Sequence, residues 1–172
     1  MALDQPKVVH TLSLLEPSLL SVPSGAAFFK QAQPAFDAYQ AGHHEAAIGL
    51  FMSVVSGLEW EACRAVLEER IPGSVAQAVK DADTFFGIEL PGLGQWAFGA
   101  EEGAKISQPT LSVLGAQTQP LWVEVAERLR SWLPKIDECK IDGVGHLLHL
   151  QSPTPVAVGI SDFLGRHAMT RT

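Results

Sequence analysis

The hydrophobic rhythm of the chain changes twice. Residues 8–15 (Val-Val-His-Thr-Leu-Ser-Leu-Leu) are β-branched and apolar with little polar alternation, and Glu16-Pro17 ends them. Such a run predicts a strand buried on both faces. A Ser/Pro/Gly-containing linker follows at residues 18–25, after which the period lengthens to that of a helix. Residues 31–40 predict a first helix. Ala46, Ala47, Leu50, Phe51, Val54 and Val55 then line one helical face, and Trp60, Cys63, Val66, Leu67 and Ile71 line a second that stops at Pro72-Gly73. Val75, Ala78, Val79, Ala82, Phe85 and Phe86 make a third stripe, and Pro91-Gly92-Leu93-Gly94 predicts a break. Each stripe needs an apolar partner, so residues 26–104 read as an all-helical insertion.

Strand character returns at residues 109–115. Trp122, Val125, Ala126, Leu129, Trp132 and Leu133 mark an amphipathic helix stopped by Pro134. Residues 138–141 supply a last strand and Gly143-Val144-Gly145-His146 a turn. Val156, Ile160, Phe163 and Leu164 mark a closing helix, with Thr154 as its cap and Pro155 at its first position. Strands alternating with helices predict a parallel sheet. The expected class is therefore α/β: a partial parallel sheet of about three strands, built from residues 1–25 and 105–172, with the helical insertion between the first strand and the second.

Composition narrows the function. With 172 residues, 47% of them hydrophobic and 18% charged, the chain has the makings of one folded core. A formal charge of -7 and scattered basic residues exclude phosphate backbones as favoured partners, so no nucleic acid is expected. Cys63 and Cys139 fall in separate segments, which predicts two reduced thiols in a cytoplasmic protein. Asp4 and Pro6 stand where a secretory peptide needs apolar residues, and no run reaches bilayer length, so no membrane partner is expected. His146 and His149 lie three apart near Asp142, but no third ligand stands at a recognisable spacing; neither a metal nor another cofactor is expected. His43-His44 reads as exposed loop, and Asp81 and Asp83 as a solvated helix face.

A histidine on a glycine-loosened turn between a strand and a helix has the posture of a general base. Together with Leu12-Ser-Leu-Leu-Glu16-Pro17, with Gln108-Pro-Thr-Leu-Ser-Val-Leu-Gly115 and with Leu148-His149-Leu150-Gln151-Ser152-Pro153, the turn at Gly143 to His146 resembles the C-terminal half of an α/β-hydrolase. The resemblance covers essentially the whole chain: strand six, a helical cap, strand seven, a helix, strand eight, the histidine turn and a closing helix. It implies that His146 occupies the position of the base. The usual acid of the family follows strand seven, where this chain has Gly115-Ala-Gln117-Thr118-Gln119-Pro120, with amides in place of a carboxylate. Some members, including certain haloalkane dehalogenases and lipases, carry the acid after strand six, where Glu16 stands. Glu16 is accordingly the expected partner of His146, the alternative being a strand-end glutamate that faces water or pairs with a cap residue.

Phe85, Phe86 and Trp96 lie where the cap returns to the sheet, in a region that roofs the substrate pocket in related enzymes. They are expected either to contact a small apolar substrate or to form the core of the helical insertion. The resemblance also implies what the sequence lacks. No Gly-x-Ser-x-Gly occurs in it, and the five earlier strands, the nucleophile elbow and the oxyanion donors of the family lie upstream of the matched region. The expected activity is that of a hydrolase of small apolar esters or related acyl compounds, silent in this chain alone and restored by a complementing N-terminal half. A different class remains open, a non-catalytic ligand- or partner-binding module that assembles, as a homo-oligomer for instance, through the exposed edge of its first strand.

Overall fold

The structure is a computed structural model that describes residues 1–169. The chain divides into two compact units, Leu19–Trp96 and a second formed by Met1–Ser18 with the chain from Ala97 onward. The boundaries fall earlier than residues 26 and 104. Ala97 to Ala104, expected within the insertion, belongs with the sheet, because helix α7 (Ala100–Lys105) packs on helix α8 (Pro120–Trp132). A Cβ on Gly103 of α7 would lie 2.6 Å from the Cβ of Trp132, so the missing side chain lets the two helices close.

The sheet unit is α/β. Strands β1 (Leu12–Leu15), β2 (Thr110–Gly115) and β3 (Ile136–Ile141) are parallel and stand in the order β1-β2-β3. Leu12 pairs with Thr110 and Leu15 with Val113, while β2 matches β3 over its full length. The first strand is shorter than residues 8–15. Pro6–Val8 instead forms a single 3-10 turn, and Val8 is 65% exposed. The ladder starts at Leu12, whose N–H donates to the carbonyl of Pro109, a residue that has no N–H of its own to extend the pairing. All four β1 residues are half-buried rather than enclosed on both faces.

Period-two alternation sorts the two covering layers. Leu111 and Val113 of β2 and Ile141 of β3 face helix α10 (Pro153–Arg166), joining Val144, Leu148, Val156 and Phe163 in one buried cluster. On the opposite face α8 buries Leu121, Trp122, Val125, Ala126 and Leu129. Ion pairs follow the same alternation along β3: Asp137 accepts from Arg166 of α10 at 2.8 Å, and Glu138 accepts from Arg130 of α8. A short helix α9 (Leu148–Gln151) precedes α10, and the closing helix starts at Pro153, two residues earlier than Thr154-Pro155 predicts. Both prolines sit in its first turn, where no intrahelical N–H is required.

Gly159 of α10 lies where an added Cβ would meet the Cys139 sulfur at 2.6 Å. Gly159→Ala is expected to push α10 off β3 and to lower stability by about 1–3 kcal/mol, the usual range for overpacking, as read by thermal unfolding. Cys139→Ala in the same background should recover part of the loss.

The helical unit starts at α1 (Pro23–Gln40), longer than residues 31–40 because Pro23 opens a first turn that its Ser/Pro/Gly composition disguises as linker. Then come α2 (His44–Ser56), α3 (Trp60–Arg70), α4 (Ser74–Lys80), the one-turn α5 (Ala82–Thr84), a π-turn at Phe85–Glu89 and α6 (Leu90–Gln95). The expected break at residues 91–94 is helical, since Pro91 falls in the first turn of α6. Gly57 caps α2 in the left-handed conformation at φ 71°. No single helix among the described residues is long and apolar enough to cross a membrane.

Glu68 near the end of α3 receives the backbone N–H groups of Gly73 at 2.8 Å and Val75 at 3.1 Å. These bonds hold its carboxyl below the ordinary 4.5, the Gly73 bond contributing most. A depressed carboxyl stabilises the fold above its unfolded pKa and loses that contribution as pH falls through the folded one. Chemical unfolding between pH 5 and pH 3 is therefore expected to show a smaller acid-induced loss in Glu68→Gln than in the native chain.

Candidate active site

Glu16, the residue after β1, adopts φ 43°, in the left-handed region that a β-carbon disfavours. Its N–H still donates to the Val113 carbonyl at 3.2 Å, so the strand register carries directly into the strained residue. Backbone held this way persists only where its surroundings over-determine it. Here they do. The side chain is fully buried, and each of its contacts is with a donor: Oε1 accepts the Gly115 N–H at 2.7 Å, while Oε2 accepts the Thr118 hydroxyl at 2.8 Å and His146 Nδ1 at 2.8 Å. The glutamate therefore does not face water, and none of these partners comes from the helical unit.

His146 sits on the turn after β3, which Gly143 enters at φ 75°. The turn is pinned to the end of β2. The N–H of Ala116 donates to Ile141 O at 2.8 Å and that of Gln117 to Val144 O at 2.9 Å. Gly115 allows the approach, since a Cβ there would lie 2.5 Å from the Val144 carbonyl oxygen and 2.7 Å from that of Gly145. The imidazole stacks on the buried indole of Trp122 with ring centroids 3.9 Å apart and planes 27° from parallel. Its side chain keeps 21% exposure.

An acceptor-only carboxylate at Nδ1 requires the proton on that nitrogen. In the neutral ring Nε2 is then the acceptor, the tautomer a general base needs. His149, one turn further on, is pushed below the ordinary 6.5 by desolvation, with His146 adding to the shift and Glu16 opposing it.

The structure thus brings His146 and Glu16 together. It places Phe85, Phe86 and Trp96 in the helical unit. Phe86 is buried, stacked on Tyr39 at 5.0 Å and edge-on to Phe36, Phe51 and Phe85. Phe85 meets Phe51 edge-on at 5.0 Å, and Trp96 is half exposed. Asp83, expected on a solvated face, also accepts the Tyr39 hydroxyl at 3.1 Å. Among the described residues no three His, Cys, Asp or Glu side chains gather as a metal-binding group.

Sequence reasoning missed three parts of the site. Thr118 lies between Gln117 and Gln119, whose amides drew attention away from its hydroxyl. Trp122 sits on the apolar stripe of α8 and reads as core. The Gly115 amide leaves no trace in side-chain chemistry.

No protein-family model matches the chain, and no curated protein matches it. Solved structures do. MGS-M2, an α/β-hydrolase enzyme from a Medee basin deep-sea metagenome library, superimposes with a TM-score of 0.70 at 14% identity, over 99% of this chain and 60% of its own. Naproxen esterase (carboxylesterase NP) from Bacillus subtilis gives 0.64 at 18% identity, over 95% of this chain and 54% of its own. Est816, described as an N-acyl homoserine lactone degrading enzyme, gives 0.59 at 21% identity, over 94% and 61%. The chain spans between 54% and 61% of the length of these structures. Its three parallel strands and the helices on them have the α/β-hydrolase fold.

Proposed function

We propose that His146 is the general base, and Glu16 its orienting acid, of a hydrolase acting on small apolar esters or related acyl compounds. The observation that carries this reading is the bond from His146 Nδ1 to a buried carboxylate whose other contacts are also donors. A carboxylate held in this way fixes the imidazole without rotating from it. In the proposed reaction Nε2 takes the proton of the nucleophile as that group adds to the acyl carbonyl. It then returns the proton to the departing alcohol. Water follows by the same route: Nε2 removes its proton, the acyl group leaves as the acid, and the nucleophile recovers its hydrogen. The imidazolium formed in each half is stabilised by Glu16 and by the indole face of Trp122.

The chain contains no Gly-x-Ser-x-Gly, and the proposal assigns the nucleophile and the oxyanion donors to a complementing N-terminal half. Release of p-nitrophenol from p-nitrophenyl butyrate tests it, with the chain alone and with a polypeptide bearing the first five strands of the fold. The expected result is turnover in the mixture only, abolished by His146→Ala. Robust turnover by the chain alone, or a mixture indifferent to His146, contradicts the reading. A second reading has its own observation: β1 pairs with β2 on one side and with no other strand among the described residues on the other. Strand addition at that edge predicts dimers of this chain. A clean monomer by light scattering at high concentration would remove that reading.

A further inference from the structure

The turn after β2, residues 116–119, holds His146 and Glu16 by different groups. Its backbone holds the histidine turn: the N–H of Ala116 donates to Ile141 O at the end of β3, and that of Gln117 to Val144 O. Its one hydroxyl holds the acid. Thr118 Oγ1 lies 2.8 Å from Glu16 Oε2, the oxygen that His146 Nδ1 also reaches at 2.8 Å. A carboxylate oxygen has two lone pairs, so at Oε2 the hydroxyl takes one and the imidazole the other.

Nothing local calls for the Thr118 bond. Helix α8 starts at Pro120 behind Gln119 with no side-chain cap, so the hydroxyl nearest its N-terminus does not serve the free N–H groups there. Thr118 is half-buried and has water within reach. Its hydroxyl instead meets a side chain with no exposure, 102 residues away in the chain. An ionised carboxylate only accepts, so the Thr118 hydrogen points at Glu16 whether His146 is neutral or protonated. Gly115 N–H at Oε1 and Thr118 at Oε2 therefore give the carboxylate two fixed points that do not depend on the imidazole. Held by Gly115 alone, the group would be free to swing about that one bond. The β-branched threonine has few rotamers, which makes the second point stiff.

We infer that Thr118 is a positioning residue: its hydroxyl locks the Glu16 carboxylate so that Oε2 stays aimed at His146 Nδ1 while the ring gains and loses its proton. It acts through Glu16 and not on the reacting atoms. Its effect on turnover rests on the hydrolase reading, whereas the locking of the pair is a property of this chain alone.

The test follows the His146 ring by NMR in the full chain. Thr118→Val keeps the shape and removes the donor, and Thr118→Ser keeps the donor and removes the methyl. In the valine variant the Nδ1 proton is expected to exchange with water about tenfold faster, as the loss of one hydrogen bond to a charged group allows, and its resonance to broaden. The serine variant is expected to keep the native exchange rate and line width. In the complemented assay Thr118→Val should lower kcat by a similar factor at unchanged KM, and Thr118→Ser should keep the native value. Native exchange in the valine variant would overturn the inference. So would a serine variant that behaves as the valine one does, since packing of the turn rather than the hydroxyl would then decide. Should Thr118→Val fail to fold, Thr118→Ala read against Thr118→Ser decides in the same way. A Nδ1 proton that responds to Thr118 as expected, in a mixture without turnover, would sink the hydrolase reading and support this inference.

Discussion

Glu16→Gln is expected to leave the fold nearly intact and to remove the basic nitrogen from the site. The native carboxylate offers Oε1 to Gly115 and Oε2 to both Thr118 and His146. Glutamine has one oxygen and one NH2. The buried Gly115 N–H accepts nothing, so the amide oxygen must stay with it, and the NH2 is turned toward Thr118 and His146. The Thr118 hydroxyl can accept instead of donate. His146 can do the same only by moving its proton from Nδ1 to Nε2, which converts the outward-facing nitrogen from acceptor to donor. The loss of stability should be no more than about 1–2 kcal/mol, the cost of exchanging one set of buried hydrogen bonds for a weaker one. Nitrogen-15 shifts of the His146 ring report the tautomer directly and need no turnover. In the complemented assay the proposed roles predict a fall in kcat of about 10⁴-fold, the size seen when the orienting acid of a hydrolytic triad is replaced by its amide. An unchanged tautomer in Glu16→Gln would show that the carboxylate does not govern the imidazole.

Gly115→Ala is expected to produce the largest loss of stability of any single methyl addition in the sheet unit. A Cβ at this position would meet the carbonyl oxygens of both Val144 and Gly145, which are backbone atoms with no rotamer to escape into. The strand end or the histidine turn must move. Either displacement stretches the bonds from Gly115 N–H to Glu16 and from Gln117 N–H to Val144 O. Overpacking of about 1–3 kcal/mol combines with a weakened buried hydrogen bond, for an expected total of about 2–4 kcal/mol. For a chain of this size that corresponds to a fall in Tm of roughly 5–15 °C. The ring-current shift that Trp122 imposes on His146 should diminish in parallel. A variant with native Tm would place the turn further from β2 than the structure does.

How much of this was legible beforehand depended on whether local pattern or distant geometry decides each feature. The stripes at Ala46 to Val55 and Trp60 to Ile71 gave α2 and α3 closely, because a helix writes its buried face into contiguous sequence. The apolar run from Val8 overextends β1 because it says nothing about Pro109, about a hundred positions later, just before the partner strand begins. The prolines misled: Pro23, Pro91 and Pro153 all lie in the first turn of a helix, although proline-rich composition reads as loop. In the site, His146 and Glu16 stood out through turn chemistry and a strand-end position. Thr118, Trp122 and the Gly115 amide did not, since each acquires its part only when β1, β2 and the last turn are assembled.

Glu16 reaches its three partners across separations of 99, 102 and 130 residues. Every one of those contacts bridges the whole stretch of helices threaded between β1 and β2, whereas α1 to α6 find their neighbours close by in the chain. Closing so long a loop carries its entropy cost before any contact repays it. During refolding the helices have the means to consolidate first, and the buried carboxylate is among the last groups to leave water. Kinetic traces from Trp60 and Trp122, each the sole tryptophan in its variant, would separate the two events, the indole beside His146 recovering its native emission later.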